Sequence, residues 1–425
     1  MSAFEKVDQA HEFVEFHHKK NKLKVLMRKQ SLTPVVGFMV TYLVGSRHEA
    51  LGHTGSAHLL EHLMFKGSKG FNKQLSNNID TLEDVGAALN ATTWNDRTNY
   101  YAVLPQQYLE RVIAIEADRM RHAFIDETDR QSEMTVVRNE FECDENDPFS
   151  LLLKHMWATA YQAHPYHHAT IGWRSDIENV SIEQLKSFYH TYYWPNNAYL
   201  TVYGDYEETK TLHMIEQYFG KIEASNHAIP KPYTQEPVQQ GQRRFELCRA
   251  GQPGIVGLAF HAPKGTDDDH IVLQLLAQVL SGGRSSRLYQ EFINKGLATQ
   301  YYVDAHPFHD NGLFGLYIWL IPGVDHAKVE EILWSMIESV KSRAVTKVEL
   351  ERAKHQLLAE KVYQNDGFMP LLSAVNESIA IGDWKYMLDF SDKVKAISSE
   401  QVKKIAGKYL TRMKSTVGYF IPQNT

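Results

Sequence analysis

The sequence predicts an α+β fold built from two homologous α/β domains, each a mostly antiparallel sheet with helices packed on one face. Three observations predict it. Residues 35–44 (VVGFMVTYLV) are rich in β-branched and aromatic side chains, and 90–104 (NATTWNDRTNYYAVL) read as two strands joined at a polar Asn95-Asp96 turn. Residues 55–65 and the long acidic stretch 106–145 carry helical periodicity instead. The halves also repeat: SAHLLEHLMFKG at 56–67 falls on VLQLLAQVLSGG at 272–283 with an offset of 216. The same offset lays Leu200-Thr201-Val202 on Thr416-Val417-Gly418, which suggests a duplicated unit.

A chain of 425 residues has room for two large domains. The Pro/Gln-rich, weakly patterned segment around 228–242 (AIPKPYTQEPVQQGQ) reads as the linker between them. The expected division is therefore 1–228, a linker at 229–243, and 244–425. Within the first domain, the 55–65 helix should end before Gly67 and Gly70.

Composition excludes several classes. The charge of −6, from 45 basic and 51 acidic residues, gives no surface suited to nucleic acid. A charged fraction of 23% with 43% hydrophobic residues is that of a globular chain, not a disordered one. Cys143 and Cys248 cannot make a disulfide framework. There is no apolar run long enough for a membrane span, and the N-terminus lacks a signal-peptide pattern, so a cytoplasmic location is expected, or a periplasmic one if a leader was removed. The Gly-rich run SGGRSSRLY at 281–289 lacks the spacing of a phosphate loop.

The sharpest chemical signal is His58-Leu59-Leu60-Glu61-His62. Helical residues four apart share a face, so both imidazoles reach one ion, and Glu61 projects toward the same side. This is the H-x-x-E-H order of inverted zinc peptidases. A catalytic zinc takes three protein ligands and leaves a position for water, whose proton a nearby carboxylate accepts. The third ligand must come from elsewhere. The acidic helix offers Glu127, Glu133, Glu140, Glu142, Asp144 and Glu145, and spacing does not choose among them. Glu133 and Glu140, seven apart, fall on one helical face, so one can bind the ion while the other holds a histidine by a hydrogen bond. In the second copy Gln274, Ala277 and Gln278 stand where His58, Glu61 and His62 do, so that copy cannot repeat the chemistry.

Over nearly its whole length the chain resembles the pitrilysin/insulinase metallopeptidases, in their half-length bacterial, mitochondrial-processing-peptidase-like form. The resemblance rests on TGSAHLLEHLMFKGS (54–68), LNATTWNDRTNYYAVLP (89–105), EMTVVRNEF (133–141) and the segment 164–205 beginning HPYHHATIGW. It implies that Glu140, 78 residues after His62, completes the zinc site with His58 and His62. It also implies that Glu61 is the general base and Glu133 the carboxylate that supports a ligand. Asn90, Ala91 and Thr92 then resemble the family's exposed edge strand, on which a peptide pairs its backbone.

The second half departs from the family pattern. An Arg and, seven residues on, a Tyr that grip substrate are replaced by Phe292 and Thr299. The resemblance thus implies a division of labour. This chain supplies one Zn2+ site, and a homologous partner chain supplies the Arg/Tyr grip in a clamshell heterodimer, with a homodimer as the other arrangement. The expected function is zinc-dependent hydrolysis of extended peptides or small unfolded proteins. The alternatives are a non-catalytic structural or assembly subunit of a processing-peptidase-like complex, and a metal-dependent hydrolase acting on something other than a peptide. Cobalt or manganese suits the same ligands.

Overall fold

The computed structural model describes residues 3–364 and 366–423. The chain forms two compact units. One comprises Met1–Phe141, His168–Tyr233 and Asn365–Ala380; the other comprises Glu142–His167, Thr234–Gln364 and Ile381–Thr425. The second unit takes up the chain at Thr234, inside the expected linker, yet one segment of each half lies in the other unit. A single cut at 229–243 therefore does not separate them.

The first half of the chain contains β1 (Phe4–Ala10), β2 (Phe13–His18), β3 (Lys24–Lys29), β4 (Val35–Tyr42) and α1 (Ser56–Met64). There follow β5 (Ala88–Thr93), β6 (Thr98–Pro105), α2 (Leu109–His122), α3 (Glu127–Asn146), α4 (Pro148–Ala160), α5 (Arg174–Asn179), α6 (Ile182–Tyr192), β7 (Ala198–Gly204) and α7 (Glu208–Phe219). The second half contains β8 (Arg243–Arg249), β9 (Ile255–His261), α8 (Asp268–Ser281), β10 (Ala298–Asp304), β11 (Leu313–Leu320) and α9 (His326–Ser342). It ends with α10 (Lys347–Gln364), α11 (Phe368–Ala380), α12 (Tyr386–Ala396), α13 (Ser399–Tyr409) and β12 (Ser415–Pro422).

In the first unit a seven-stranded sheet runs β1-β2-β3-β7-β4-β6-β5, antiparallel except where β3 meets β7. The sequence of β4 shows how the sheet is buried. Val36, Phe38, Val40 and Tyr42 are fully buried in one core with Leu59, Leu60 and Leu63 of α1 and Val112 and Ile113 of α2. Each such side chain contributes about 1.5–3 kcal/mol by leaving water. The alternate residues face the opposite way, as the pleat requires, and meet α11. A Cβ on Gly37 would lie 2.5 Å from Leu372 Cδ1. The hydroxyls of Thr41 and Thr201 both donate to Asn376 Oδ1.

The second unit has a five-stranded sheet, β10-β11-β9-β12-β8, antiparallel except between β12 and β8. Helix α8 runs through its core, with Ile271, Leu273, Leu275, Leu276, Val279 and Leu280 almost fully buried. Helix α4 covers β9, β12 and β8 from the other side. There, a Cβ on Gly257 would lie 2.8 Å from Met156 Cε.

The order β10-β11-β9-β12-β8 repeats β5-β6-β4-β7-β3 element for element, with the parallel pair in the same place. Even the caps repeat: Ser181 with Gln184 opens α6, and Ser398 with Gln401 opens α13, both as reciprocal capping boxes. The duplication read from the sequence is thus present in the topology. Helices α4 and α11 are counterparts in this repeat, and they are exchanged. The first copy's α4 covers the second sheet, and the second copy's α11 covers the first.

Candidate metal centre

The site is built on α1. Gly55 precedes the helix with φ of 87°, a left-handed conformation in which a Cβ would stand 2.5 Å from the carbonyl oxygen of Ile171. The first amides of the turn have a partner in Glu49, whose carboxylate accepts from Gly55 N at 2.8 Å and Ala57 N at 2.7 Å. That carboxylate is fully buried, and His168 Nε2 lies 3.0 Å from it. A negative charge on the helix N-terminus is favoured by the free N–H groups and the macrodipole. The Leu59, Leu60 and Leu63 face is clamped in the core, so His58 and His62 emerge half-buried on another face.

Helix α3 brings the acid. Met134, Val137 and Phe141 are its buried residues, at helical spacing, and they set its rotation against the core. Glu133 and Glu140 each stand one position before a core contact. Ligand atoms of His58, His62 and Glu140 all lie within 4.8 Å of one another, the one such group among the described residues. His58 Nε2 is 3.4 Å from His62 Nε2, and Glu140 Oε2 is 3.7 Å and 3.6 Å from those two nitrogens. Two ligands at about 2.1 Å from a tetrahedral ion are separated by about 3.4 Å. The Glu140 Oε2 atom is buried and has no hydrogen-bond partner. An orphaned carboxylate oxygen facing two imidazole nitrogens fits a cation among them.

The other acids of α3 do not join this group. Glu127 pairs with Arg130, Glu145 with Lys154, and Glu142 and Asp144 are exposed. Cys143 is exposed as well.

Around the triad the electrostatics are ordered. Burial, with His62 as a second cause, pushes the His58 pKa down to about 4, so its imidazole is neutral near pH 7. Burial raises the Glu61 carboxyl above its ordinary range, against the opposing hydrogen bond from Thr93. Glu133 Oε2 lies 3.1 Å from His62 Nδ1, and its other oxygen pairs with Lys66 Nζ. Burial alone would raise Glu133; the hydrogen bonds from Lys66 and His62 outweigh it and hold the group below its ordinary pKa.

Strand β5 is the terminal strand of its sheet. Asn90 and Thr92 are exposed and Ala91 is buried. The Asn90 Oδ1 accepts from Ala91 N at 2.8 Å, and the Thr93 hydroxyl ties the strand to Glu61. Thr93 and its neighbours Arg97 and Glu377 carried no signal in the sequence, and neither did the Glu49–His168 pair beneath α1. Of the aromatic residues beside the edge, Tyr100 is fully buried and Trp94 and Tyr101 half-buried. In the second unit Phe292 is fully buried in the core, and Thr299 is exposed with its hydroxyl 3.4 Å from the Trp319 carbonyl. Neither offers a charged or phenolic donor.

Comparison with known proteins agrees with this architecture. Residues 24–173 match the family model for insulinase (peptidase family M16), and residues 179–357 match that for the peptidase M16 inactive domain. The zinc protease PqqE of Helicobacter pylori is 28% identical over 408 residues, spanning 95% of this chain and 91% of that protein. The crystal structure of a protease from Helicobacter pylori superposes with a TM-score of 0.90 at 26% identity, covering 99% of this chain and 100% of the other. The periplasmic protease PqqL from Escherichia coli shares the fold, with a TM-score of 0.78 at 18% identity over 99% of this chain but 48% of its own.

Proposed function

This chain belongs to the M16 (insulinase) peptidase family, and on that premise we propose that it is a zinc-dependent endopeptidase acting on extended peptides or small unfolded proteins. The observation that carries the reading is the buried, unpartnered Glu140 Oε2 facing the Nε2 atoms of His58 and His62. These three residues are the proposed ligands. Bound zinc would supply Lewis acidity to a water and to the scissile carbonyl.

The remaining roles belong to the chain's own groups. Glu133, an acceptor for His62 Nδ1, selects the tautomer that leaves Nε2 with its lone pair directed at the ligand group. Glu61 is the proposed general base. Its raised pKa brings it closer to neutrality, where a carboxylate both accepts the water's proton and returns it to the leaving amine. Asn90, Ala91 and Thr92 on the terminal strand would pair with the substrate backbone and so hold an extended peptide without strong demands on its side chains.

The reading includes a partner. The chain matches about half of the longer PqqL chain, and its own Phe292 and Thr299 cannot grip a carbonyl. A homologous chain bearing an Arg/Tyr pair would complete the clamshell, and the isolated chain would cleave slowly.

The test is metal analysis and peptide hydrolysis for the wild type and Glu61→Gln. The wild type should hold zinc in equimolar amount and hydrolyse peptide. The variant should keep its zinc and lose about 100-fold or more in rate. A wild-type protein that takes up no zinc, or a Glu61→Gln protein with undiminished hydrolysis, would overturn the reading.

A further inference from the structure

The β5–β6 hairpin carries a buried cation beside the candidate site. Arg97 is 8% exposed. Its Nη1 donates to both the carbonyl and the hydroxyl of Thr92, each at 2.8 Å. Its Nε donates to Glu377 Oε1 at 2.9 Å, and Nη2 bonds the same oxygen. Glu377 lies on α11, the exchanged helix, which belongs to this same unit. The next residue along β5, Thr93, donates its hydroxyl to Glu61 Oε2.

The peptide group between Thr92 and Thr93 is planar, so fixing the Thr92 oxygen fixes the position of the Thr93 Cα, whose backbone is further held by pairing with Thr98. A buried ion pair adds little net stability over an apolar pair of the same shape, because both charges are taken out of water. The hairpin tip is in any case held independently: Arg47 pairs with Asp96 at 3.1 Å, and Ser46 N donates to the Trp94 carbonyl. What Arg97 adds is placement, with one end on a carboxylate from the second copy and the other on the edge strand.

Resting on the peptidase reading, we propose that Arg97, held by Glu377, is a positioning residue that sets the β5 edge and, through Thr93, the Glu61 carboxylate. The exchanged helix of the second copy thereby takes part in the chemistry of the first. Arg97 touches neither the ligand group nor any reacting atom.

The test uses the zinc-loaded full chain in excess over a fluorogenic unstructured peptide, so that single turnovers report slow rates. Arg97→Met should lower the maximal rate about 10- to 100-fold, as sub-ångström misplacement of a reacting group does. Bound zinc should match the wild type. Melting temperature is compared in Arg97→Met/Glu377→Leu, where neither charge is stranded and it should match the wild type while the rate stays low. Arg97→Lys keeps the charge without the guanidinium fork and should restore part of the rate, and Glu377→Gln should fall between. A purely structural residue would instead let the doubly apolar variant recover rate together with melting temperature, and that outcome overturns the proposal. Hydrolysis by Arg97→Met at the wild-type rate also overturns it, leaving the peptidase reading intact. Absence of hydrolysis by the wild type overturns that reading first. If Arg97→Met does not fold, Arg97→Lys and Glu377→Gln decide by the same comparison.

Discussion

The Nδ1 atom of His62 and the Oε2 atom of Glu133 lie 3.1 Å apart, and this contact fixes which nitrogen of His62 is free. A carboxylate held below its ordinary pKa is an acceptor only, so the proton sits on Nδ1. Lys66, one turn after His62 on the same chain segment, pairs with the second oxygen of Glu133, so both oxygens of the acid are engaged.

Removing this support should loosen the metal. Glu133→Ala should weaken zinc affinity about 10- to 100-fold, read by competition with a chromogenic chelator. Glu133→Gln keeps an acceptor oxygen and should fall between. An affinity unchanged by Glu133→Ala would mean that His62 needs no orienting partner.

The edge strand makes a separate prediction. Proline at Asn90 or Ala91 removes an amide from β5. Binding of an extended peptide to the Glu61→Gln protein should then fall about 10-fold or more, measured by fluorescence anisotropy. A hydrolase acting on a non-peptide substrate would be indifferent to the change.

Acid should destabilise the second unit through His270. This residue is fully buried in α8, with Nε2 3.1 Å from the His306 carbonyl. Burial pulls its pKa from 6.5 down to about 4, partly offset by that hydrogen bond. The unfolded chain therefore takes up a proton at a higher pH than the folded one. The contribution to stability is complete above pH 6.5 and is lost as pH falls toward 4, by up to about 3 kcal/mol. Urea unfolding at pH ~7 and ~5 should show a smaller difference for His270→Gln than for the wild type.

The exchanged helices can be pried off their sheets. Gly37→Val would drive a methyl group into Leu372, and Gly257→Val would do the same to Met156. Each should cost about 1–3 kcal/mol in urea unfolding, and Leu372→Ala should recover part of the Gly37→Val loss. Full additivity of that pair would refute the contact.

Much of this molecule was legible in the sequence because its signals are local. The 55–65 helix and the 90–104 hairpin appear as α1 and as β5 and β6, with the turn at 94–97 where the polar residues stand. The acidic stretch 106–145 is helical but divides into α2 and α3, and Ile125 is buried at the break. Strands β1 to β3 give no clear local signal, because they are short and β1 and β3 are rich in charge. Val25, Leu26 and Met27 are buried only because β3 pairs with β7, far along the chain. The two histidines were readable from helical spacing, whereas the carboxylate that faces them was not. Which acid of α3 faces them depends on how that helix is rotated by Met134, Val137 and Phe141, a tertiary fact with no local pattern. Arg97 and Glu377 are 280 residues apart, and no local pattern joins them.

The crossing of α4 and α11 has a consequence for how such a molecule can exist at all. A polypeptide carrying one copy would leave its sheet bare on one side and its spare helix without a seat, and only a second polypeptide could satisfy both. Its assembly would then falter on dilution. Joining the copies in tandem makes the exchange unimolecular and independent of concentration. By the same logic, a fragment ending at residue 228 should fail to fold alone, and adding residues 229–425 as a separate piece should restore it.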